Sequence, residues 1–181
     1  PGPDGVVDSS GAHFINLSSL LTSRDNLRQA ETDLSVVAVT IPTMDVNGNQ
    51  VPDFDGSRIA FVGQSLGGIA GTVFMAMEPT VNLGVLNVPG GQIAYLLNGS
   101  PTFGPRIRAG IAAAAGFPQT DPRFPGTLSQ FLLITQTVVD SSDPINYARL
   151  TGGERILLQE VVGGGTVPPD QVIPNTVAGA P

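Results

Sequence analysis

Cysteine is absent from the 181 residues, and histidine occurs once, as His13. Without cysteine there can be no disulfide, no thiolate metal ligand and no cysteine nucleophile, although that absence does not fix the compartment. Positive charge is scarce as well. Eight Lys+Arg against 15 Asp+Glu leave a net charge of −7, so no basic surface for nucleic acid is expected. Charged residues make up only 13%, yet no run of about 18 apolar residues occurs, and no membrane span is expected. No signal peptide opens the chain; Pro1-Gly2-Pro3 reads as a cut rather than a natural N-terminus. Nothing in the sequence sets an oligomeric state.

What is present is a hydrophobic fraction of 41% in a length suited to one domain with a sizeable core. The chain is organised around Arg58 to Gly71. Ile59, Phe61 and Val62 form a short apolar run of strand formers; Gly63-Gln64-Ser65-Leu66-Gly67 follows; then Ile69, Val73, Phe74 and Met77 recur at helical spacing until Glu78-Pro79. The five-residue piece fits G-x-S-x-G, the nucleophile elbow, in which a serine sits on a sharp strand-to-helix turn. Such a turn strains the backbone at the serine, and bulky side chains two residues away would collide with the strand or the helix. The helix start behind the serine directs N–H groups and a positive dipole end at the reacting centre. The alternative is a structural glycine-rich turn.

Two further strands are expected, at Leu83 to Val88 and Arg155 to Val162, and His13 to Leu17 reads as a strand or its end. Helices are expected from a cap at Ser23, with an apolar stripe of Leu27, Ala30, Leu34, Val37, Ala38 and Ile41; over Leu128 to Val139; and from Asp143-Pro144 through Leu150. Residues 1–12 and the proline-rich end read as loop. Strands separated by helices imply an α/β fold with a mainly parallel sheet and a ligand site at the carboxyl ends of its strands. The broken apolar pieces of 92–130 read as a small helical cap over that site, with an ordinary surface excursion as the alternative.

Asp45, Asn47 and Asn49 alternate like the first ligands of a calcium loop, with Asp53 beyond. Gln50 stands where such loops need glycine and the last bidentate Glu is missing, so an Asx-rich turn is favoured over a structural calcium near Asp45.

A serine nucleophile needs a base, normally a histidine oriented by a carboxylate, in the chain order Ser, acid, His. Asp170, just past the third strand, is the candidate acid; Asp140 and Asp143 are runners-up that capping already explains. The Leu66 N–H, next after the nucleophile, supplies one oxyanion donor. His13 lies upstream of Ser65, against the order rule, so the base is expected on a segment beyond these residues.

With these residues in view, the chain resembles the central part of an α/β-hydrolase and is similar to bacterial secreted lipases of the virulence-factor type. The likeness is carried by Asn16-Leu17, Arg24 to Gln29, Asp53 to Ile59, Gly63 to Gly68, Asp143 to Ala148 and Asp170 to Pro174. It implies one incomplete α/β-hydrolase domain over 1–181, with a cap insertion and following helices at 92–150. It also implies a secreted or cell-surface location, no required cofactor, and cleavage of lipid-like or hydrophobic carboxylic esters through an acyl-enzyme on Ser65. A non-catalytic binding module or an inactive hydrolase fragment, and acyl transfer to an alcohol, are the alternatives.

Overall fold

The computed structural model describes residues 11, 13–151 and 155–175; the loop readings for 1–10, 12 and 176–181 lie outside it. The fold is α/β. Strands β1 (Phe61–Gln64), β2 (Gly84–Asn87) and β3 (Ile156–Gln159) form one parallel sheet in the order β1-β2-β3. Helices are α1 (Leu20–Thr40), α2 (Leu66–Met77), α3 (Ile93–Gly99), α4 (Gly104–Ala115) and α5 (Phe124–Val139). Each strand is a four-residue core of the longer apolar run that announced it.

The register places Phe61, Gly84 and Ile156 side by side, with Gly63 and Leu86 one step further along. This row faces α2 and α1, where Leu86, Phe74, Met75, Val81 and Ala38 form a buried cluster with Phe61 and Ile156 against it. α2 is buried without a break from Gly68 to Met75, because the sheet lies on one side of it and α1 on the other. Its last residue, Met77, is exposed, where the spacing expects it inside. On the opposite sheet face Val62 and Leu157 are 74% and 55% exposed. α3, α4 and α5, which follow β2 and precede β3 in the chain, pack on one another around Ile107, Ile111 and Phe124.

Several expectations are corrected. His13 to Leu17 is not a strand but a series of turns, since its main chain is held by α1 side chains. Asn26 Nδ2 donates to the carbonyls of His13 and Phe14, both at 3.0 Å. Ser23 Oγ donates to Asn16 O at 2.9 Å and accepts from Asn16 N at 2.8 Å. Ser23 is therefore a buried rivet inside α1, not its cap; the helix begins three residues earlier, at Leu20. Val37 is exposed, so the stripe on α1 is narrower than its spacing suggests. Helix α5 starts at Phe124, ahead of the periodic stretch, with Pro125 in its first turn, where a missing N–H is harmless. After Asp143 the chain forms two single 3-10 turns, Pro144–Asn146 and Ala148–Leu150, rather than an α-helix.

Candidate functional site

Ser65 stands between β1 and α2 with φ 51° and ψ −119°. Glycine adopts that conformation freely; a side chain there costs on the order of 1–3 kcal/mol. Its main chain is fully engaged. Ser65 N donates to Asn87 O at 2.9 Å, prolonging the β1–β2 pairing, and Ser65 O accepts from Gly68 N at 2.8 Å and Ile69 N at 2.9 Å. The hydroxyl, by contrast, makes no hydrogen bond among the described residues. Leu66 is the first residue of α2, so its N–H has no acceptor within the helix.

The glycines permit this geometry, though not in the way the motif suggests. A Cβ on Gly63 would strike the Gly67 carbonyl oxygen, and one on Gly71 would strike the Phe61 ring. At Gly67 a Cβ would meet nothing, whereas at Gly68 it would press on Pro89 at 3.1 Å. The close approaches of α2 to the sheet and to the loop after β2 are thus made at Gly63, Gly68 and Gly71.

Ser65 and Leu66 border a cavity of about 450 Å³ lined almost wholly by apolar side chains. The turns of 13–17 supply Phe14 and Leu17, α3 supplies Leu96 and Leu97, the lead into α4 supplies Phe103, and Val172 closes another side. Leu96, Leu97, Phe103, Arg106 and Ile107 thus form part of the cavity wall beside the serine. A second apolar hollow, of about 420 Å³, lies around Pro89-Gly90-Gly91 and Pro144 and does not include Ser65.

Asp170 follows β3 at the same carboxyl edge of the sheet, in a turn whose next residues, Val172 and Ile173, line the serine's cavity. Its Oδ1 accepts from Val172 N at 2.7 Å and Ile173 N at 2.9 Å, and its own N–H donates to Val161 O at 3.0 Å. Oδ2 takes no hydrogen bond among the described residues, and Asp170 makes none with Ser65. The turn is tied to the link between α3 and α4: Gln171 O accepts from Thr102 N at 3.1 Å and from Thr102 Oγ1 at 2.7 Å. Asp143 is wholly buried and its carboxylate caps the starts of α3 and of the following 3-10 turn, so its role is in the fold. His13 is exposed, one residue before the cavity-lining Phe14.

In the Asp45 loop the oxygens are turned inward. Asp45 accepts from the N–H groups of Gly48 at 2.7 Å, Asn49 at 3.2 Å and Gln50 at 2.6 Å, and Asp53 accepts from Val46 N and Asn47 Nδ2, both at 2.6 Å. Desolvation pushes the Asp45 carboxyl upward, but the main-chain donors outweigh it and hold the group below its usual range. The loop is an Asx-rich turn, and among the described residues no three of His, Cys, Asp and Glu gather as a metal site.

The sequence did not single out Arg106, the one charged side chain that the described residues place on the cavity wall, nor Phe14 and Phe103. Their spacing carries no signal, because the wall is assembled from four separate segments. No family model, no curated protein and no solved structure matches this chain. Among the described residues no helix is long and apolar enough to cross a membrane.

Proposed function

We propose that the protein is a serine hydrolase that cleaves carboxylic esters with an apolar acyl part. The observation that carries this reading is a serine in strained backbone, at the head of a buried helix, with its hydroxyl unoccupied beside an apolar cavity. Strain of this kind persists only where the surrounding structure imposes it, and it gathers at reacting groups.

The chemistry follows from the placement. The ester's apolar chain fills the cavity, which removes water from the carbonyl. Ser65 Oγ attacks the carbonyl carbon while its proton passes to a histidine base. The developing oxyanion is held by the Leu66 N–H at the positive end of α2. The tetrahedral intermediate expels the alcohol, which takes the proton from the histidine. Water, deprotonated by the same base, then attacks the acyl-enzyme and releases the acid. Asp170 orients the base through Oδ2, the oxygen its own turn does not occupy. The base comes from a segment beyond the 181 residues, as the resemblance to bacterial secreted lipases implies; that resemblance also implies a secreted or cell-surface location. The chemistry calls for no cofactor.

An alkyl fluorophosphonate should modify Ser65 in the full-length protein, read by mass spectrometry. Ser65→Ala should abolish both labelling and ester turnover; turnover that survives this substitution would overturn the assignment. A second reading, a non-catalytic pocket for an apolar ligand, is favoured by one observation: the chain has a single histidine, upstream of the serine. Tight ligand binding by a full-length protein that never labels would support it.

A further inference from the structure

We infer that Arg106 selects anionic substrates, so that the ester taken by this site has an apolar chain accompanied by a carboxylate or a phosphate. The inference rests on the hydrolase reading for the word ester, but its geometric basis is separate.

Among the described residues, the Ser65 cavity has one charged side chain on its wall, Arg106, which is otherwise exposed. Arg106 forms no ion pair and no side-chain hydrogen bond among the described residues. Its neighbours on the chain do otherwise. Arg108 donates through Nη1 to Asn98 O at 2.8 Å, and Arg123 pairs with Asp121 at 2.9 Å. Exposed arginines facing only water are ordinary; this one differs in bordering an apolar cavity that also holds a serine in strained backbone.

Its position also argues against a stabilising role. Arg106 is the third residue of α4, in the first turn, where the helix dipole disfavours a cation. Nor does its surrounding charge explain it, since the protein carries a net −7 and would by itself repel an anion. A guanidinium with all its donors available, at the edge of apolar walls, matches a carboxylate or phosphate in a two-pronged contact and fixes the ligand's orientation. The apolar chain is then held by the walls, the anion by Arg106, and the ester carbonyl falls to Ser65.

The test is binding, which needs no turnover. Dodecanoate, dodecyl phosphate and uncharged methyl dodecanoate compete with Nile red for the protein. At least one anion should bind roughly tenfold tighter than the neutral ester, as expected for a charge-assisted contact, and the advantage should shrink with added salt. Preference for dodecyl phosphate over dodecanoate points to a phosphate headgroup, and the reverse to a carboxylate. R106Q should remove the advantage while leaving methyl dodecanoate binding unchanged, and R106K should keep part of it. Equal binding of charged and neutral ligands, an advantage that persists in R106Q, or an equal loss in R123Q would overturn the inference. Ser65→Ala should leave the anion advantage in place. A failed hydrolase assignment and a failed Arg106 assignment therefore give different results.

Discussion

The turn at Asp143 and the turn at Asp170 hold the same side chain in opposite conditions. Asp143 has both oxygens occupied: Oδ1 accepts from Gln92 N at 2.9 Å and Ile145 N at 3.0 Å, and Oδ2 from Ile93 N at 2.6 Å and Gln136 Nε2 at 2.8 Å. It joins α3, α5 and the turn after α5 from a position with 0% exposure. Asp170 has one oxygen committed to its own turn and the other without a hydrogen bond among the described residues, on the edge of the sheet that carries Ser65. A carboxylate whose every lone pair is used can only hold the fold together. One with an oxygen left over is able to hold a mobile partner such as an imidazole. Glu31 completes the series, since its Oε1 is buried with no partner among the described residues.

The contrast can be broken in four ways. Asp170→Asn should lower ester turnover of the full-length protein by about 10⁴-fold while moving the melting temperature little, as expected where a carboxylate orients the base. A large loss of stability with activity retained would make Asp170 a second Asp143. Asp143→Ala should destabilise by about 3–5 kcal/mol, because several buried donors lose their acceptor at once, and urea unfolding will read it. Ser65→Gly separates strain from chemistry: it should stabilise the fold by about 1 kcal/mol, since glycine tolerates the positive φ, while abolishing labelling. A destabilised Ser65→Gly protein would show that the elbow is not strained.

The smallest effect concerns Glu31. Burial pushes its carboxyl up from 4.5 to about 7, with Arg28 pulling slightly the other way. The folded protein thus holds this proton where the unfolded chain releases it. The contribution to stability is fully present below about pH 4.5 and is lost as pH rises toward 7. Because the residue is only partly buried and solvent screens it, the change should be on the order of 1 kcal/mol. Glu31→Gln should flatten the difference in urea midpoint between these two pH values; an unchanged slope would refute the assignment.

How far the site was legible depends on whether its parts are adjacent in the chain. The elbow was readable because strand, turn and helix are contiguous, and an apolar strand, a positive φ and a buried helix each leave a local mark between Ile59 and Met77. The Asp170 turn was readable because it follows a strand of apolar residues and ends in proline. His13 to Leu17 was misread because its residues are apolar and strand-like, whereas its backbone partners, Asn26 and Ser23, lie on α1. Asp143-Pro144 carries the signature of a helix start, but its carboxylate also holds residues 92 and 93, and the chain turns only in single 3-10 loops.

Local patterns by themselves determined the α/β class, the place of the three strands, and the strained turn that presents Ser65, since each depends on neighbours within a dozen residues. They also set the absence of cysteine and the net charge of −7 in these 181 residues. Only the tertiary structure decided which glycines make the close approaches, which carboxylates keep an oxygen unoccupied, and that Arg106 shares a cavity with Ser65. Those outcomes depend on contacts between segments far apart in the chain, where a residue's type says what it can bond to and its surroundings say whether anything is left to bond.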